Sequence, residues 1–193
     1  GGSPGAGKTE FSKRFISGFE KKFPVKIVRV DPDEIRNMLP GYTGDNSHVV
    51  QGACTLGVEK LYDHVLSKKQ NAIIDGTFVD YEKSADNVRR SLKKGRDVHI
   101  YYIYQEPLVA WDFTKKREDI EGRRIPREAF IRAFLLSRAN VNRVKQEFRK
   151  QIQIHLVIKN YLNNDEDFRL NVESIDPYLK VLYSENELMG LIT

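Results

Sequence analysis

The sequence predicts an α/β fold, with a central, mostly parallel sheet and helices on both faces. Three observations carry that expectation. Helix-like and strand-like stretches alternate along most of the chain, the order that parallel strands joined by crossover helices require. The strand candidates are short and apolar, as in Ile73-Ile74 and in Val98 to Tyr104. The residues with chemical potential stand just after these strands, and ligands of such sheets bind at the strands' carboxyl ends.

Taken in order, Thr9 to Phe23 has an amphipathic period, with Phe11, Phe15, Ile16 and Phe19 on one side. Val25 to Val30 is a short strand ending at Asp31. Pro32 and Pro40-Gly41 punctuate a loop or short helix. Val49 to Leu66 is helical, Asn71 to Asp75 a strand, and Tyr81 to Leu92 helical again. Val98 to Tyr104 is β-branched and aromatic, hence a strand. Leu108 to Lys116 is a helix that runs into a charged segment, Lys115 to Arg127. Pro126 suits the start of a long helix reaching about Arg149. Ile152 to Ile158 is the last clear strand, and a small appendage or hairpin is expected beyond Asn163. Tyr101 to Tyr104 and Trp111 are expected to pack rather than to stack on bases.

The chain has 193 residues, 40% hydrophobic and 31% charged. That suits one globular domain over 1–193 and excludes a disordered or fibrous chain. No apolar run approaches the ~18 residues of a membrane helix. Cys54 is the single cysteine. It cannot form an internal disulfide and suits a reducing, cytoplasmic setting. The net charge of +5 suits an anionic ligand and gives no strong reason to expect nucleic acid. The four histidines, His48, His64, His99 and His155, share no metal-ligand spacing.

Gly2-Ser3-Pro4-Gly5-Ala6-Gly7-Lys8-Thr9 fits G-x-x-x-x-G-K-[ST]. Glycines let backbone N–H groups wrap a phosphate, the lysine reaches the outer phosphates, and the threonine hydroxyl holds Mg²⁺. Such a loop should follow a strand, so residues before Gly1 are expected to supply one. Asp31 and Asp33 stand at the next strand's carboxyl end. One of them would serve as a base or an orienting carboxylate for an acceptor hydroxyl, or Asp33 caps a helix. Asp75, before Gly76-Thr77, ends the third strand and would contact Mg²⁺ or the acceptor, or with Gly76 simply form a turn. Lys115, Lys116, Arg117, Arg123, Arg124 and Arg127 form a lid-like segment at about 115–127 whose arginines could meet phosphate oxygens.

Together these residues resemble the zeta toxin family of P-loop kinases, over Gly2 to about Ala129. Asp31-Pro32-Asp33-Glu34-Ile35-Arg36 is similar to the family's D-x-D-x-[FI]-[RK], Asp75-Gly76-Thr77 to its E-G-T, and Arg123-Arg124-Ile125-Pro126 to its R-A-T-P. The resemblance implies a three-layer P-loop kinase fold and transfer of the γ-phosphoryl group of ATP or GTP to the 3′-hydroxyl of UDP-N-acetylglucosamine. It makes Asp33 the general base. Lys8 and Arg123, with Arg117 assisting, would neutralise the transferring group, and Thr9 would hold Mg²⁺. Arg36, Glu59, Asp75 and Thr77 would stand with Asp33 on the acceptor side. A toxin of this kind implies a small antitoxin partner.

Two departures bear on the acceptor. Asp75 is one methylene shorter than the family's glutamate, and Val79 stands where an arginine is usual. Two other readings stay open: a P-loop kinase of another small molecule or of a nucleic-acid 5′-hydroxyl, and a nucleotide-dependent binding module.

Overall fold

Each of the clear sequence signals becomes an element in the computed structural model, which describes residues 1–122, 124–161 and 165–193. The helices are α1 (Lys8–Lys22), α2 (Pro32–Asn37), α3 (Gln51–Ser67), α4 (Tyr81–Lys93), α5 (Pro107–Glu121), α6 (Arg127–Phe148) and α7 (Glu185–Leu191). The strands are β1 (Ile27–Val30), β2 (Asn71–Ile74), β3 (Val98–Tyr104), β4 (Ile152–Asn160) and β5 (Asp165–Arg169). β1 pairs with β2 and β3 with β4, both in parallel, and β5 returns antiparallel on β4 as the expected hairpin. The charged stretch at 115–121 is not loop. It continues α5 to Glu121, because Lys, Arg and Glu are good helix formers.

The chain divides into two compact units. One comprises Lys8–Gly76 and Arg117–Arg124. Its core is small, with Val30, Cys54, Val58 and Val65 buried beneath Ile35 and Leu61. A Cβ on Gly57 would stand 2.8 Å from Ile35 Cγ2, so glycine there allows α2 to lie close on α3. The Cys54 thiol donates to the Pro32 carbonyl at 3.1 Å, adding a second tie between these helices.

The other unit comprises Gly1–Gly7, Thr77–Lys116 and Ile125–Thr193. Its core is far larger, drawing on β3, β4, α5, α6 and the C-terminal segment. Tyr102, Tyr104 and Trp111 are buried in it as packing residues. The Trp111 indole N–H donates to the Thr193 carbonyl at 3.1 Å, which ties the segment after α7 to α5. His99 and His155, on neighbouring strands, meet at 3.0 Å between Nδ1 and Nε2. Burial, then the neighbouring His99, lowers the His155 pKa.

Candidate functional site

The glycine-rich loop is fixed by its backbone. Gly1 pairs with β3: its N–H donates to Tyr101 O at 2.7 Å and its carbonyl accepts from Ile103 N at 2.9 Å. Gly2 has φ +140°, and a Cβ there would stand 2.3 Å from the Ile103 carbonyl oxygen. Gly5 has φ +70°, and its Cβ would stand 1.9 Å from the Ala110 carbonyl oxygen on α5. Both positions therefore demand glycine twice over, by torsion and by space. Ser3 and Ala6 are buried, and the Ala6 N–H donates to the Ser3 carbonyl at 3.3 Å. Lys159, from the end of β4, reaches the Gly7 carbonyl at 3.4 Å. Pro4 and Gly7 are partly exposed.

Lys8 and Thr9 follow at once in the chain and open α1. Burial pulls the Lys8 pKa down from 10.5 to about 8; Asp75 opposes that shift, Arg117 adds to it, and Asp33 opposes it again. Lys8 therefore lies in the field of two carboxylates and a guanidinium. The Ser12 hydroxyl, one turn on, lies 3.0 Å from both Asp75 Oδ2 and the Thr9 carbonyl.

The short helix α2 presents the acidic pair. Asp31, in extended conformation, is its N-cap and accepts from the Asp33 N–H at 2.8 Å. This corrects the alternative in which Asp33 caps. Pro32 at the first helical position sets the frame, since proline suits N1 and the cap precedes it. Asp33 is left in the first turn with its side chain 37% exposed. Its two oxygens meet Arg36 and, at 3.5 Å, Arg117 from α5. Burial raises the Asp31 pKa, against the Asp33 N–H bond and Arg29, which lower it.

Thus Lys8, Asp33, Asp75 and Arg117 come together, as do their neighbours Thr9 and Ser12. Arg36 is almost wholly buried and engaged with Asp33 and, at 3.2 Å, with Gln51 Oε1. Its guanidinium orients Asp33 and ties α2 to α3. Glu59 lies on α3, partly exposed. Thr77 lies in the other unit, next to Phe78, whose φ of +66° is uncommon outside glycine. Asn140 steadies this turn by donating to the Phe78 and Val79 carbonyls at 2.9 and 2.8 Å. Arg123 lies outside the described residues.

One site residue escaped sequence reading. Arg29, in the middle of β1, reaches Asp31, Glu34 and Asp75. A basic residue inside an apolar strand was the available signal, because such charges are buried only when paired.

The family model described as Zeta toxin matches residues 1–173, running well past Ala129. No curated protein matches the chain. Among solved structures, the chain is similar to one from the PezAT chromosomal toxin–antitoxin system of the human pathogen Streptococcus pneumoniae. Their TM-score is 0.68 at 17% identity, covering 99% of this chain and 81% of that one. At that identity the likeness establishes the fold, which is the P-loop kinase-like fold of a zeta toxin.

Proposed function

The chain belongs to the zeta toxin family, and from that premise we propose that it is a kinase that transfers the γ-phosphoryl group of ATP or GTP to a sugar hydroxyl of a nucleotide sugar, UDP-N-acetylglucosamine or a close relative. The observation that carries the reading is the placement of Lys8 in the field of Asp75 and Asp33. A phosphate-binding cation beside two carboxylates is what phosphoryl transfer to an alcohol needs.

In this reading Gly2 to Gly7 offer backbone N–H groups to the phosphates, and Lys8 holds the outer ones. Asp33 takes the proton of the acceptor hydroxyl. The acceptor oxygen forms its bond to the γ-phosphorus as the bond to the β-phosphate oxygen breaks, and the nucleoside diphosphate leaves. Lys8, Arg117 and Arg123 neutralise the charge on the transferring group. Asp75, Thr77 and Glu59 hold the acceptor, and Arg36 keeps Asp33 aimed.

The hydroxyl of Thr9, next to Lys8 in the chain, is a hard oxygen donor that would hold Mg²⁺. Bound there, Mg²⁺ would offset phosphate charge. The family also supports a small antitoxin as partner, since the similar solved structure comes from a toxin–antitoxin system.

The test incubates the protein with nucleotide, Mg²⁺ and a panel of nucleotide sugars, nucleosides and oligonucleotides, and seeks products heavier by one phosphoryl group by mass spectrometry. UDP-N-acetylglucosamine should be converted. Asp33→Asn should lower kcat by about 10²–10⁴ while nucleotide affinity holds. Label entering an oligonucleotide 5′ end instead would redirect the acceptor. Binding without turnover would sink the kinase reading.

A further inference from the structure

We propose that Arg29 is a positioning residue of this site: its guanidinium fixes the orientation of the Asp75 carboxylate and so decides which oxygen is offered to the acceptor. The proposal rests on the kinase reading above. β1 is otherwise apolar, with Ile27, Val28 and Val30 around Arg29. The β1–β2 register sets Arg29 opposite Ile73. Side chains two apart in a strand share a face, so Arg29 and Asp31 on one strand share a face with Asp75, just past the end of the other. The Asp75 N–H bond to the Val30 carbonyl, 2.9 Å, carries the pairing to that point.

The side chains of Arg29, Asp31 and Asp75 are each only 8% exposed. Nη2 of Arg29 meets Asp31 Oδ2 and, at 3.2 Å, Asp75 Oδ2, while Nη1 meets Glu34 Oε1. Ser12 reaches the same Asp75 oxygen, Oδ2, at 3.0 Å. Both of these anchors on Asp75 therefore fall on Oδ2, leaving Oδ1 outside them. The Nε–H of Arg29 is buried with no acceptor among the described residues. Its guanidinium spans three carboxylates, a reach that needs the planar fork and that a lysine ammonium lacks.

The experiment compares Arg29→Lys, Asp75→Asn and the double variant in the full chain with Mg²⁺, ATP and the acceptor found above. Arg29→Lys keeps the charge but loses the fork. It should raise the acceptor KM about tenfold and lower kcat, with the nucleotide KM changed less than about twofold. In the Asp75→Asn background the same change should have little further effect, because the residue acts through Asp75. Equal, additive losses in both backgrounds, or a parallel rise in nucleotide KM, would overturn the role. If Arg29→Lys loses its cooperative thermal transition, Ser12→Ala carries the test by removing the other anchor of Oδ2. It should also raise the acceptor KM, and an unchanged KM overturns the proposal. An inactive parent chain would instead defeat the kinase reading and this role with it. An active parent with an indifferent Arg29→Lys variant defeats the positioning role alone.

Discussion

Lys8 pits stability against ligand. Its pKa, lowered by burial to about 8, means that the folded chain gives up this proton more readily than the unfolded chain does. Between pH 8 and the ordinary 10.5 the unfolded state binds more protons, so this group makes stability rise with pH across that window, and its full cost is felt below it. A polyphosphate favours the charged lysine, so nucleotide binding above pH 8 takes up a proton. Nucleotide affinity should therefore weaken as pH climbs from about 8. Titration calorimetry in two buffers of different ionisation enthalpy should report uptake at pH 9 and much less at pH 7. Lys8→Met should raise Tm at neutral pH by roughly 2–4 °C per kcal/mol recovered while abolishing transfer. An affinity flat from pH 7 to 9.5, or a Lys8→Met chain that melts earlier, would contradict this account.

At the scale of elements, glycines of opposite purpose stand in one stretch of chain, at Gly5 and Gly18. Gly5 turns with positive φ against the Ala110 carbonyl, whereas a Cβ on Gly18, on the exposed side of α1, would meet nothing within 4 Å. Gly5→Ala should destabilise by upwards of about 2 kcal/mol, a fall in Tm of roughly 4–8 °C. Gly18→Ala should stabilise by about 0.5–1 kcal/mol. Thermal melts of the two variants decide the matter by sign alone. The elements themselves were legible because their signals are local. The β-branched and aromatic run at Val98 to Tyr104 became β3 at those residues, and Pro126 marked the start of α6. The charged stretch after Lys115 reads as a loop by polarity but has helical propensity throughout, so α5 runs on. The register of α2 was also written locally, in Pro32. The clamp of Arg29 on Asp75 was not, since 46 residues separate the partners and only the β1–β2 pairing brings them to one face. The meeting of His99 and His155 is hidden for the same reason.

At the scale of the whole molecule, the two units are unequally built. The one holding Lys8, Asp33 and Asp75 has a two-stranded sheet and a few buried aliphatic residues, while the other has three strands and a broad core. A two-stranded sheet needs packing to persist at all, so the first should open at lower free energy. The chain carries its own reporters. Cys54, its single cysteine, is fully buried in the smaller core, and Trp111, its single tryptophan, in the larger. In rising urea, Cys54 should become reactive to a thiol reagent before Trp111 fluorescence changes. Nucleotide with Mg²⁺ at about 100 times Kd should slow Cys54 labelling about 100-fold, provided the opened unit releases the ligand. Trp111 should respond at that urea only if both units unfold together. Coincident midpoints for the two reporters would mean that the cores stand or fall as one. Labelling indifferent to nucleotide would mean that opening around Cys54 leaves the phosphate site intact.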